Sequence, residues 1–252
     1  MHLRRPVCPL ALVHVRSAVF VPRFRPVVPG IESFRSSFSL PRHRHLGAYA
    51  TVVLAGRFEE SGYAGRIRAT AGDVLVHPVL DCHANRTVSS GVTLIRLDWS
   101  DATDPGGLFR LEAVDSLART AARDARQASR QLEELLSAER RPAPGRQSDW
   151  PVALAQALAA DTSLEIGAWA FAHGLARETV SRGFFDAYGI SPVGFRGECR
   201  ARAAWLRIVG GPEPLSAIAA ETGFADQAHM TRWVRRISGA TPALWRRGTA
   251  AH

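Results

Sequence analysis

The sequence predicts an α+β chain of two domains: an N-terminal β-barrel or sandwich, a helical connection, and an all-α C-terminal domain with two helix-turn-helix units. Three observations predict it. Short β-branched runs separated by glycine-bearing turns fill residues 48–98, Leu108–Arg140 holds no glycine or proline, and two helix–glycine–helix patterns follow residue 150. With 252 residues, 46% of them apolar, the chain is long enough for a sizeable core. No apolar run approaches the ~20 residues of a membrane-spanning helix, so no membrane partner is expected.

Charge is unevenly distributed. The formal net charge is +9, and all 32 basic residues are arginine. Residues 1–50 carry a net +7, residues 51–161 a net −2, and residues 162–252 a net +4. An anionic partner therefore suits the two ends and not the middle. Residues 1–32 hold Pro6, Pro9, Pro22, Pro26 and Pro29, and their first acid is Glu32. They read as a basic, disordered extension rather than a secretory signal, whose apolar core Pro9 and His14 would interrupt. Cys8, Cys82 and Cys199 are too few and too scattered for a disulfide framework, which suits a reducing compartment.

Residues 33–100 form the expected effector domain. Strands are predicted at Ala48–Ala55, Arg57–Glu60, Arg66–Thr70, Val74–His77 and Val92–Asp98, with turns at Gly56, Ser61-Gly62 and Ala71-Gly72-Asp73. On a strand, residues two apart share a face, so His43 and His45 point together. His83 follows the Gly72-Asp73 turn, while His77 beside Pro78 reads as a strand end. The pair His43-Arg44-His45, the Gly-Asp turn, Pro78 and His83 together resemble the cupin family over residues 39–98. That resemblance implies a barrel with a pocket lined by these histidines. The family's metal-binding glutamate is replaced here by Tyr49, so the expected pocket holds His43, His45, Tyr49 and His83 and takes a small-molecule effector. No metal and no other cofactor are expected in it.

Residues 101–149 form the expected helical connection and linker. Leu111, Val114, Ala118, Ala121, Ala125, Ala128, Leu132 and Leu135 step by 3 and 4, a heptad seam. It packs either on the chain's own β domain, as two helices broken near Asp124, or across a homodimer through 108–140. Arg141–Asp149 (RPAPGRQSD) has linker composition.

Residues 150–252 carry the most specific pattern. Pro151 suits the first turn of a helix. Thr162 or Ser163 is positioned to cap a second one, which Gly174 ends, and a third follows from Ala176 with Val180, Phe184 and Ala187 inward. Arg177, Glu178, Ser181 and Arg182 face away. The arrangement recurs: Pro214 opens a helix that Gly223 ends, Asp226 caps the next, and Met230, Trp233, Val234 and Ile237 form its inward stripe. Its open face carries Gln227, Thr231, Arg232 and Arg235. In a helix-turn-helix, the second helix enters the major groove, where Arg pairs with guanine and Gln with adenine. Arg200, Arg202 and Arg207 read as a solvated face.

The stretches GLARETVSRGFFDAYGISPVGFR (174–196) and GFADQAHMTRWVRRISGATPALWRR (223–247) resemble the two halves of the AraC/XylS-type regulator domain, including its SP and TP closures. The resemblance implies a sequence-specific transcription regulator bound to double-stranded DNA. By position it assigns Glu178, Ser181 and Arg182 to reading in the first unit, beside Arg177. In the second unit it assigns Gln227, Ala228, Thr231 and Arg232, with His229 at the edge. Gly167 and Gly183 depart from helical preference and weaken the expected rigidity of the first unit. Residues 150–252 are expected to bind DNA on their own, in the cytoplasm and on the bacterial nucleoid. RNA polymerase is a candidate contact. The chain is expected not to be an enzyme; the alternative is a metal-dependent cupin enzyme fused to a DNA-binding domain. No nucleophile–base pair, P-loop or dinucleotide fingerprint is present.

Overall fold

The computed structural model describes residues 24–34, 39–102, 104–112, 114–145 and 148–250. Most of the expected basic extension therefore lies outside the described residues, as does Cys8. By packing, the chain divides into two units at Arg200/Ala201. Among the described residues there are eight strands and nine helices. None of those helices is long and apolar enough to cross a membrane.

The first unit opens with the sheet. Strands β1 (Gly30–Phe34), β2 (Ser39–Arg44), β3 (Tyr49–Gly62), β4 (Gly65–Thr70), β5 (Asp73–His77), β6 (Cys82–Asp98), β7 (Gly107–Arg110) and β8 (Arg141–Pro142) pair antiparallel in the order β1-β6-β3-β5-β7-β8. β2 pairs with β6, and β4 with β3. Ordered backbone thus starts before residue 33: Phe24 bridges Arg44, and β1 pairs with β6 from Gly30↔Arg96 onward. The two middle strands are longer than their sequence suggests. β3 runs through Gly56 because register shifts at Val53/Ala55 and Gly56/Phe58 absorb the irregular residues instead of ending the strand.

The two-residue period sorts the apolar side chains onto two faces. Ala50, Val52, Val74, Val76, Ile95 and Leu97 form one cluster, and Val53, Phe58, Ile67, Leu75, Val92 and Leu94 form the other. The first cluster is covered by α1 (Asp115–Ala121) and α2 (Ala125–Ala138). The expected break near Asp124 is present, and the Asp124 carboxylate accepts from the amides of Arg126 and Gln127 as the α2 cap. Leu117, Ala121, Ala128, Leu132 and Leu136 are buried against the chain's own sheet, whereas Leu135 of the heptad seam is exposed. The stripe follows the 3.6-residue helical period rather than the 3.5 of a coiled coil, which moves burial from 135 to 136. The segment 108–140 is also not wholly helical, because Leu108–Arg110 belong to β7.

The expected linker is held in place. Arg141-Pro142 pairs with β7, and the Gly145 carbonyl accepts from the Arg68 amide at 2.7 Å. Next come α3 (Trp150–Ala160), α4 (Ile166–Ala172), α5 (Arg177–Tyr188) and the start of α6 (Pro192–Gly210). Asp149 caps α3 through the Val152 amide. Neither Thr162 nor Ser163 caps α4: its N-cap is Glu165, and the amide and hydroxyl of Ser163 turn back to Asp161. Leu154, Leu158, Val180, Phe184, Tyr188 and Phe195 form the helical core of this unit.

In the unit Ala201–His252, α7 (Leu215–Glu221), α8 (Gln227–Ser238) and α9 (Pro242–Ala250) follow the end of α6. Ile218, Ala219, Met230, Val234 and Ile237 are buried there, and Trp233 is half-buried. Arg207, expected as part of a solvated face, pairs at the surface with Glu213 and Glu221. The two helix-to-helix turns match in backbone: Gly174 and Gly223 take φ of 65° and 77°, a region only glycine enters without strain.

Gly183 is explained by space. A Cβ there would lie 2.5 Å from Cζ2 of Trp150, so glycine is what lets α5 approach the start of α3. On an exposed helix Gly→Ala gains about 1 kcal/mol. Here Gly183→Ala should instead destabilise the full chain by about 1–3 kcal/mol through overpacking. The cost should shrink in a Trp150→Leu background. Urea unfolding of the four proteins checks this, and a stabilised Gly183→Ala would refute the contact.

Candidate histidine cluster and nucleic-acid interface

The alternation of β2 places His43 and His45 on one side of the strand path and Arg42 and Arg44 on the other. His43 lies opposite His83 of β6, and Tyr49 of β3 lies opposite His77 of β5. The three imidazoles expected to converge do so. Ring centroids are 5.0 Å apart for His43–His45, 4.6 Å for His43–His83 and 5.3 Å for His45–His83. Tyr49 lies 4.6 Å from His45, and its hydroxyl sits 3.3 Å from Nε2 of His83. All four residues are at most 6% exposed.

Three further members were not anticipated. His77 ends β5, as its sequence context suggests, yet its ring stacks on Tyr49 at 4.2 Å. Asp81 Oδ2 accepts from Nδ1 of His77 at 3.0 Å and from Nδ1 of His83 at 2.7 Å. Glu60 places Oε1 3.6 Å from Nδ1 of His77 and Oε2 3.8 Å from Nε2 of His83. Asn85 donates to Glu60 at 3.1 Å. The turn that aims Asp81 beneath the rings carries Leu80 at φ 57°, a left-handed conformation costly for a branched side chain. The residues that could have pointed to this base are the buried acid two positions before His83 and four after His77.

The electrostatics divide the cluster into two layers. Burial, reinforced by the neighbouring His83, pushes His43 down to about 4. Burial with His83 and His43 pushes His45 down to about 2, so both rings are neutral at pH 7. Burial, then the Glu60 and Asp81 charges, holds the Tyr49 phenol well above its usual range, so it stays protonated. Burial opposes charge on Asp81, but hydrogen bonds from His77 and His83 outweigh it and keep the carboxyl well below the usual range. Burial likewise opposes charge on His77, yet Glu60 and Asp81 outweigh it and raise that ring. A carboxylate base thus fixes the tautomer of His83, while neutral imidazoles stand above it. The Nδ1 of His43 donates to the Pro41 carbonyl at 2.9 Å, and Nδ1 of His45 is buried with no partner among the described residues. Donor atoms of His43, His45 and His83 lie within 4.8 Å of one another. Such a set accepts hydrogen bonds from a polar ligand or offers nitrogen lone pairs to a transition metal ion.

The helix-turn-helix side chains sort by face. On α5, Val180, Phe184 and Tyr188 are buried, while Arg177, Glu178, Ser181 and Arg182 are all exposed. Gly167 lies under the Arg177 guanidinium, where a Cβ would come within 2.9 Å of Nη2. The glycine therefore leaves room for that arginine at the start of α5. On α8, Gln227, Ala228 and Arg232 are exposed and Thr231 is half-buried. The Asp226 carboxylate caps the helix, accepting from the His229 amide at 2.6 Å. The His229 ring is engaged within the fold: Nε2 accepts from Trp233 Nε1 at 3.1 Å, and its edge meets Phe224 at 5.2 Å. The Arg236 guanidinium lies 5.0 Å from the centre of the Trp233 ring.

A family profile described as a helix-turn-helix domain matches residues 169–248. No curated protein matches the chain in sequence. Among solved structures, ToxT from Vibrio cholerae O395 is similar at 7% identity and a TM-score of 0.39, covering 89% of this chain and 98% of that one. A probable AraC family transcriptional regulator from Rhodopseudomonas palustris CGA009 is similar at 20% identity and a TM-score of 0.36, over 38% of this chain and 93% of its own. A cupin superfamily protein from Desulfitobacterium hafniense DCB-2 is similar at 20% identity and a TM-score of 0.25, over 26% and 60% of the two chains. With two glycine-turned helix pairs, closed by Ser191-Pro192 and Thr241-Pro242, residues 169–248 are a helix-turn-helix domain.

Proposed function

We propose that the chain is a sequence-specific transcription regulator that reads double-stranded DNA with α5 and α8 and is controlled by a small ligand at the histidine cluster. The observation that carries this reading is the doubled design of the helices. Each has an apolar stripe buried in its own unit and an exposed polar, arginine-bearing face opposite. Arg177, Glu178, Ser181 and Arg182 are the proposed reading residues of α5. Gln227, Ala228, Thr231 and Arg232 are those of α8, where the engaged ring of His229 supports the helix start. Whether the regulator activates through RNA polymerase or represses by occupying a promoter is read directly by a reporter assay. The stripe of α1 and α2 is covered by the chain's own sheet, so this proposal includes no homodimer built on that stripe. A cytoplasmic, nucleoid-associated site of action follows from the DNA partner.

For the ligand, the neutral rings of His43 and His45, with His83 and the protonated Tyr49 beside them, favour a small polar organic effector, and no enzymatic step is assigned to them. A second reading rests on the unpartnered Nδ1 of His45. His43, His45 and His83 would hold a divalent transition metal ion, which would supply a positive charge to the cluster. Metal analysis of the purified chain separates the two. Stoichiometric zinc, iron or nickel selects the second, and its absence together with a metabolite-dependent shift in DNA affinity selects the first.

Selection of genomic fragments by the full chain tests the DNA reading, and equal affinity for every duplex would overturn it. Affinity for the selected site should fall steeply with added salt, as counterions are released. Arg232→Ala should weaken that binding by about 1–3 kcal/mol and relax base choice at one position. A uniform loss over all sequences would make Arg232 a phosphate contact. The double variant His43→Ala/His45→Ala should keep DNA binding without effector and lose the effector response, measured by fluorescence anisotropy on the same fragment.

A further inference from the structure

We propose that Arg42 and Arg44 couple the histidine cluster to the first helix-turn-helix unit by clamping Glu198 of α6. The inference deepens the regulatory reading above and rests on it for its biological meaning. Arg42 and Arg44 alternate with His43 and His45 along one short stretch of backbone, so the strand cannot shift the histidines without shifting the arginines. Arg42 Nη2 donates to Oε2 of Glu198 at 2.7 Å, and Arg44 Nη2 lies 2.9 Å from Oε1. The Tyr63 hydroxyl donates to Oε2 at 3.2 Å and accepts from Arg44 Nη1 at 3.0 Å.

Two further bonds extend the clamp in opposite directions. Arg42 Nη1 donates to the carbonyl of Tyr188, the last residue of α5, at 3.3 Å. Arg44 Nη1 donates at 2.7 Å to the carbonyl of Leu80, the left-handed residue that precedes Asp81. The clamp therefore grips the end of a reading helix on one side. On the other it grips the turn whose aspartate holds His77 and His83. Strand β2 and, through Arg44, the 78–81 turn are both tied to the Glu198 carboxylate.

The charge balance argues against a role in stability alone. Two guanidinium groups share one carboxylate in a site where Arg42, Arg44 and Glu198 have side chains 8%, 4% and 12% exposed. Taking these charges from water costs about as much as their attraction returns, and Arg42 Nε is buried with no partner among the described residues. An arrangement this near to balance is readily tipped by a change at one end.

The test is a double-mutant cycle on the full chain, read by amide hydrogen exchange over residues 188–200. The cycle compares wild type, His43→Ala/His45→Ala, Glu198→Gln and the combination. The cluster variant should change exchange at 188–200 by about fivefold or more, a typical coupling. With Glu198→Gln already present, the same histidine changes should leave that segment unaltered. Tyr63→Phe removes one hydroxyl without opening the fold, and should reduce the coupling if Glu198→Gln fails to fold. Unchanged exchange in the cluster variant would overturn the proposal. So would effects that simply add, which is what a purely structural ion pair gives. Fragment selection with the same proteins keeps the two readings apart. If wild type selects no sequence, the regulatory reading fails, while the exchange cycle still decides the coupling.

Discussion

A residue on strand β2 can point only one of two ways, and the first unit depends on that constraint. Four consecutive residues, Arg42 to His45, send two neutral rings toward a buried carboxylate base and two fixed positive charges toward a buried carboxylate on α6. Slipping the register by one residue would place guanidinium groups over Asp81 and Glu60 and leave Glu198 facing imidazoles too weakly basic to pair with it. The pairing of His43 with His83 and of Arg44 with Cys82 fixes this alternation, so backbone pairing decides on which side of β2 these rings and charges lie.

Asp81 is the second fixed point. A buried aspartate is tolerated only when its lone pairs are satisfied, and here two imidazole N–H groups satisfy them. In return it determines which nitrogen of His83 remains available. The strained backbone at Leu80 is what puts the carboxylate there, and Arg44 holds the same residue by its carbonyl. The cluster and the clamp therefore share their least relaxed piece of backbone.

Much of the helical region could be read from sequence, because a 3.6-residue apolar period, a glycine turn and an SP or TP closure are local signals. The pair His43 and His45 could be read for the same reason, since two-residue spacing alone puts them together. What could not be read is non-local. Glu60, His77 and Asp81 join the cluster only when β3, β5 and β6 are in register. Arg42 meets Glu198 across 156 residues. Gly183 reads as a weakness in a helix, and only the fold brings Trp150 against it. The heptad seam was ambiguous because α helices on a sheet and in a coiled coil show nearly the same spacing, and only Leu136 in place of Leu135 separates them here.

The central position of β6 has a consequence for how the chain is made. Among the described residues β1 and β2 form their ladders with β6, at Val92–Arg96 and Cys82–Arg86, so those ladders wait until β6 is synthesised. β1 and β2 must wait as open strand edges while β3, β4 and β5 are synthesised, a situation that favours non-native association. Glu198 emerges later still. A nascent chain arrested before α6 would carry Arg42 and Arg44 without the carboxylate that pairs with them. Correct closure of the first unit therefore awaits the arrival of its first helix-turn-helix.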